Sequence, residues 1–187
     1  VETFKRTPLQ LFNLPQNFVI PLFQRPYVWK EDEQWEPLWK DIRRIAELRV
    51  SEPHLNATHF LGAVVIQSHE AQSKRLTTWN VIDGQQRLTT LQILADATGA
   101  LLAQTGYARP AAQLERLTHN DEIYVEDGDS RLKVRHLNKD QAAFDEVMSA
   151  EPPVDHTDLQ HSDSQIVAAH GYFSTVVAQW LGSPESD

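Results

Sequence analysis

The chain contains no cysteine among its 187 residues. That excludes disulfides, a thiolate nucleophile and any cysteine-ligated metal, and it suits the cytoplasm. Positive charge is also short: 17 lysines and arginines stand against 26 acidic residues, a formal net charge of −9. A protein coated in positive charge for indiscriminate nucleic-acid binding is excluded, so any contact with DNA must run through a local basic patch. No apolar run approaches the roughly 20 residues that span a bilayer, and no signal-peptide pattern opens the chain. An initiator methionine is missing before Val1, so a processed chain, an excised domain or a chain with missing ends is expected.

What is present suits one globular domain with a real core: 41% hydrophobic and 9% aromatic residues. Leu9, Leu11, Phe12 and Leu14 predict a helical turn or two, stopped by Pro15. NFVIPL (17–22) reads as a short extended segment that Pro21 confines to a strand end or a sheet edge. FQRPYVW (23–29) reads as a polar-aromatic loop. Asp32 is the expected N-cap of a helix with Trp35, Leu38, Trp39, Ile42 and Ile45 at three- and four-residue spacing. HFLGAVVIQ (59–67), apolar on both faces, predicts a central strand; HEAQSKR (69–75) a hairpin-like connection; and LTTWNVID (76–83) its partner strand. Residues 85–103 predict a second amphipathic helix through Leu88, Leu91, Leu94, Ala95, Thr98 and Leu102. RLKVRHL (131–137) alternates like a strand with one exposed face, KDQAAFDEVMSA (139–150) reads as a short helix, and EPPVDHTDLQHSDS (151–164) as an acidic loop before a last helix. This divides the chain into a main unit, 1–150, and a tail of loop and helix, 151–187.

Within that map, VIDGQQRLTTL (81–91) places an acid, a glycine, two amides and a guanidinium at a strand-to-helix junction. Gly84 supplies a turn free of side chain. Gln85, Gln86 and Arg87 then occupy a first helical turn whose free N–H groups attract an anion. Arg87 adds a planar fork matched to phosphate oxygens. Asp83 can hold a divalent cation or orient an attacking water. The plainer alternative is that Asp83 caps the helix and Arg87 makes a surface ion pair.

FQRPYVW poses a similar choice. Gln24 and Arg25 suit base edges or phosphate, while Phe23, Tyr27 and Trp29 either stack on bases or anchor the loop to the core. The eight histidines show no HExxH or carboxylate partner at ligand spacing and read as solvated surface residues. Trp35, Trp39 and Trp180 lie on the apolar faces of their helices and read as structural.

FVIPLFQRPYVWKEDEQWEPLWKDI, HFLGAVVIQ and NVIDGQQRLTTLQILADA, in that order, resemble the N-terminal domain of GmrSD-type modification-dependent restriction proteins. The resemblance is close over residues 9–103 and looser through RLKVRHLNKDQAAFDEV. It implies an α/β (α+β) fold of ParB/sulfiredoxin type, a small mixed sheet flanked by helices. It also implies an NTPase, with GTP the expected nucleotide and Mg²⁺ the expected cofactor. The DGQQR motif maps to Asp83, Gly84, Gln85, Gln86 and Arg87, with Asp83, Gln85, Gln86 and Arg87 catalytic and Asp83 the metal ligand. Gly84, Arg87, Gln24 and Arg25 would bind nucleotide, and Phe23, Gln24, Arg25 and Tyr27 would sense modified DNA.

Full-length members of the family usually add a C-terminal HNH-type nuclease. Some act on glucosylated hydroxymethylcytosine DNA, and SspE-type relatives respond to phosphorothioate DNA. The expected partners are therefore modified DNA, a nucleoside triphosphate and that nuclease domain; a homo-oligomer stays open and no membrane is involved. The tyrosine usual before QR is Phe23 here. Two rival classes remain beside a cytoplasmic NTPase that gates DNA restriction: a DNA-binding sensor without catalysis, and a partner-interaction domain whose motif is only structural.

Overall fold

The computed structural model describes residues 2–69 and 76–182. Apart from His69, the hairpin-like connection expected at 69–75 lies outside the described residues. A four-stranded mixed sheet in the order β2-β3-β1-β4 carries the fold. Its strands are β1 (Gln16–Ile20), β2 (Val65–His69), β3 (Thr77–Asp83) and β4 (Val134–His136). β1 lies parallel to both β3 and β4, and β2 runs antiparallel to β3. Three carboxyl ends (Ile20, Asp83 and His136) therefore open on one edge, where open α/β sheets bind ligands. Pro21 follows the end of an interior strand, the first of the two places its missing N–H allows.

The helices are α1 (Pro8–Phe12), α2 (Glu36–Ser51), α3 (Gln85–Gln104), α4 (Ala108–Thr118), α5 (Gln141–Met148) and α6 (Gln165–Leu181). Thr7 and Gln10 form a capping box that starts α1. Asp32 is not the cap expected for α2: it sits within a wider π-helical turn, Glu31–Trp35, whose N-cap is Lys30. Trp35 from that turn is buried, stacked at a tilt on Tyr172 of α6.

α3 is the central helix and is less one-sided than expected, because Gln85, Gln86, Thr89, Thr90 and Gln92 are buried along with Leu88, Ile93 and Ala97. It packs against α4, α6 and β4, and the hydroxyls of Thr90 and Thr98 bond back to the carbonyls of Gln86 and Leu94. Phe18, Ile20, Val81, Val134, Phe144, Ile166 and Phe173 share one core, so α6 is built into the same interior as the sheet.

HFLGAVVIQ departs most from expectation. Only Val65 onward is strand, and that strand lies at the sheet edge. Residues 59–64 form a segment without strand pairing, in which Phe60 is 82% exposed. Gly62 adopts φ +106°, outside the strand region, and its neighbours cover the start of α3.

The RLKVRHL segment also differs. Lys133, expected on an exposed face, is buried and donates to the carbonyls of Phe12 (2.5 Å) and Leu14 (2.9 Å) at the end of α1. Burial pulls its ammonium down to about 8. The histidines are not uniformly solvated either, since His136 and His170 are buried.

Candidate functional site

The strand-to-helix junction is shaped by steric contact from the 59–64 segment. Gly84 is the N-cap of α3 with φ +93°, and a Cβ there would stand 2.9 Å from Val64 Cγ2. Gly62 is equally constrained, because a Cβ would meet Arg87 Nε at 2.6 Å. The Arg87 guanidinium lies over Gly62 and donates from Nη1 to the Ala63 carbonyl at 2.7 Å. In place of the surface ion pair of the plainer alternative, Arg87 makes a backbone contact that fixes one end of its fork.

Asp83 does not cap the helix. No side chain caps α3, and the Asp83 carboxylate is exposed with no hydrogen bond or ion pair among the described residues. Its neighbours in the motif behave differently from one another. Gln85 is only 8% exposed, and its amide has no hydrogen-bond partner among the described residues. Gln86 is fully engaged: Oε1 accepts from Val28 N at 2.9 Å and Nε2 donates to the Pro26 carbonyl at 3.1 Å. Gln86 therefore grips the 23–29 loop and holds it beside the start of α3.

That loop is tied from three further directions. Gln24 Nε2 donates to the Ile82 carbonyl at 3.0 Å, joining the loop to β3. Asn138 Nδ2 reaches the Gln24 carbonyl at 3.3 Å, and Asp140 Oδ2 accepts from Tyr27 N at 2.7 Å. Tyr27, expected to face DNA, points inward and is 5% exposed. Trp35 Nε1 donates to its hydroxyl at 2.9 Å, and the hydroxyl lies 2.6 Å from Thr90 Oγ1. Since Thr90 Oγ1 donates to the Gln86 carbonyl, the phenol proton goes to Thr90. Burial pushes the phenol well above its ordinary range, so it stays protonated. Its hydrogen bonds are complete within the core, and its part is to anchor the loop.

Phe23 and Arg25 face the other way. Phe23 is 79% exposed, and the Arg25 side chain is exposed with no ion pair among the described residues. The structure thus brings Asp83, Arg87, Gln24, Arg25 and Phe23 to one sheet edge and turns Tyr27 and the Gln86 amide into their supports.

The family model for the N-terminal domain of the GmrSD restriction endonuclease matches residues 9–181. The chain belongs to this family. A search of curated proteins found no match. Membership carries a role in modification-dependent DNA restriction, alongside a nuclease domain.

In this GmrSD N-terminal domain the FLG and QRPY stretches are explained by contact with DGQQR: glycine under the arginine, loop against the glutamine. Sequence reasoning missed Asn138 and Asp140, which hold the loop from the β4 side. Their signal was the Asn-Lys-Asp run before a helix. Asp140 occupies the N-cap position of α5 without capping it by its side chain. It also missed His136, whose Nε2 lies 3.1 Å from Thr89 Oγ1 beneath the site.

Among the described residues no group of three or more histidine, aspartate or glutamate side chains is placed to hold a metal ion. Asp83 alone fits Mg²⁺ in the mode where substrate phosphates and water complete the octahedral shell.

Proposed function

We propose that this domain binds and hydrolyses a nucleoside triphosphate, with GTP the first candidate, at the start of α3. The observation that supports this reading is an unengaged carboxylate, Asp83, beside a helix start that no side chain caps. The first-turn N–H groups and the dipole end of α3 attract phosphate oxygens. Arg87, fixed through one nitrogen to Ala63, presents the rest of its fork to developing charge. Asp83 orients an attacking water or holds Mg²⁺, which when bound neutralises phosphate charge. Gln86 acts on the loop, not on the nucleotide.

The test is turnover of each NTP with Mg²⁺, with and without modified DNA. Asp83→Ala and Arg87→Ala are each expected to lower turnover ~100-fold or more. Unchanged turnover in both folded variants eliminates the assignment.

The adjoining loop supports the sensing half of the reading. Leu22 and Phe23 are strongly exposed next to Arg25. An apolar wall beside a guanidinium favours a phosphorothioate, whose sulfur is softer and less hydrated than oxygen. A glucosylated base would instead need a hydroxyl-pairing pocket. Titration of matched unmodified, phosphorothioate and glucosylated duplexes at fixed salt tests this. Equal affinity for all three, unchanged in Arg25→Ala, removes phosphorothioate sensing and leaves the NTPase assignment standing.

The second reading, a DNA sensor without catalysis, is favoured by one feature: both polar atoms of the Gln86 amide are engaged in holding the loop.

A further inference from the structure

Lys139 lies between the two residues that grip the 23–29 loop. Asn138 Nδ2 donates to the carbonyls of Gln24 (3.3 Å) and Arg25 (3.5 Å), and Asp140 accepts from Tyr27 N (2.7 Å). The turn that carries Lys139 is therefore fastened to the backbone on both sides of Arg25-Pro26. Both cations are exposed, and neither has an ion pair or a side-chain hydrogen bond among the described residues. By contrast, Lys40, Arg43, Arg44 and Arg131 are paired with carboxylates.

The strand order sets the geometry. Arg87 follows β3, Arg25 follows β1 and Lys139 follows β4, and these three strands are neighbours with their carboxyl ends on one edge. At roughly 4.8 Å between strands, the row spans about 10 Å of backbone. The start of α3 lies at one end of that row and Lys139 at the other. A row of this length suits successive phosphates of a polynucleotide better than a single triphosphate seated at α3. Phe23, 79% exposed in the same loop, adds the aromatic face that strand-binding surfaces interleave with cations.

We propose that Lys139 and Arg25 form a two-cation clamp on the phosphate backbone of a DNA strand, at the β4 end of the site and separate from the nucleotide position. The clamp rests on the DNA-sensing half of the reading above and not on hydrolysis. Lys139 is outside the DGQQR and QR motifs, and fold geometry alone brings it to the site.

Fluorescence anisotropy of a labelled phosphorothioate duplex and a labelled single strand, across a salt series, tests it. The proteins are the whole chain, Lys139→Ala, Lys139→Arg, Arg25→Ala and the same charge removed elsewhere in Arg109→Ala. Binding of a fluorescent GTP analogue is the parallel arm. Lys139→Ala is expected to weaken DNA about tenfold and reduce the salt slope by about one. Lys139→Arg restores both, Arg109→Ala changes neither, and nucleotide affinity is unchanged in the Lys139 variants and in Arg109→Ala. A Lys139→Ala protein with wild-type DNA affinity and slope overturns the clamp, as does an equal loss in Arg109→Ala. Loss of nucleotide affinity in Lys139→Ala overturns it too, by making Lys139 a nucleotide contact. If the unaltered chain binds nucleotide and no DNA, the clamp and DNA sensing both fall. If it binds DNA through Lys139 but no nucleotide, the clamp stands and the NTPase reading falls.

Discussion

Two loops are fastened by side chains, and they are fastened with different chemistry. The 23–29 loop, at the candidate site, is held by the amides of Gln86, Gln24 and Asn138, with the Asp140 carboxylate and the buried Tyr27 phenol beside them. The 151–164 loop, before α6, is held through imidazoles. His156 Nε2 meets His170 Nδ1 at 2.8 Å, and His170 Nε2 meets Asp96 Oδ2 at 3.1 Å. His161 Nδ1 meets Glu146 Oε2 at 2.7 Å. Because the Asp96 carboxylate accepts, His170 carries its proton on Nε2 and takes the His156 N–H at Nδ1. The amides of the first loop do not titrate, whereas the His156–His170 contact in the second needs one ring nitrogen free to accept.

The largest effect should come from breaking the amide grip. Gln86→Ala leaves Val28 N and the Pro26 carbonyl without their partner, at a cost of about 2–4 kcal/mol in stability. Urea denaturation measures the loss. Faster hydrogen exchange confined to 23–29 would mark it as release of the loop, whereas uniform exchange across the sheet would deny Gln86 that local part.

Acid sharpens the contrast next. Burial takes His136 down to about 4, against an opposing hydrogen bond from Asn138, and burial and the neighbouring His170 lower His156. A depressed histidine leaves stability intact above the unfolded value near 6.5 and loses it as pH falls toward the folded value. His136 alone predicts a loss of about 2 kcal/mol between pH 7.5 and pH 5. Proteolytic cutting should appear within 151–164 before it appears within 23–29, because His156 is the less deeply buried of the two. Stability equal at both pH values, or cutting in the reverse order, would break the comparison.

A smaller change probes the floor of the site. Gly62→Ala forces a Cβ into a left-handed position against the Arg87 guanidinium, and should cost about 1–2 kcal/mol. Arg87 must shift, so any nucleotide affinity should fall along with stability. A protein of normal stability and affinity would show that Gly62 and Arg87 are not coupled.

These contacts explain which parts of the molecule were legible in the sequence. The helices around 36–51, 85–104, 141–148 and 165–181 were visible, as was the run of β3 into α3, because local pattern decides them, whereas α4 (Ala108–Thr118) was missed. The 59–64 segment was misread because its apolar residues satisfy a strand pattern, while Gly62, which ends that pattern, answers to Arg87, 25 residues later. Lys133 looked like the exposed face of a strand, and His136 like one more solvated histidine. Only the fold reveals that α1 ends over one of them and that Thr89 and Phe144 enclose the other. Tyr27 and Gln86 were singled out for ligands because a motif shows residue types and spacing, not which atoms are already occupied.

The smallest expected effect on stability belongs to Asp83. Its carboxylate caps nothing, pairs with nothing among the described residues and is exposed. Asp83→Ala should therefore leave the unfolding free energy within about 0.5 kcal/mol of the original. Gln86→Ala, three residues on, should lose several times as much. Within one motif the two variants separate a residue that holds the site together from one that the fold does not need. If Asp83→Ala loses NTP turnover at unchanged stability, Asp83 is there for chemistry. If it instead unfolds the domain, the carboxylate has a structural partner, and the NTPase reading loses the observation on which it rests.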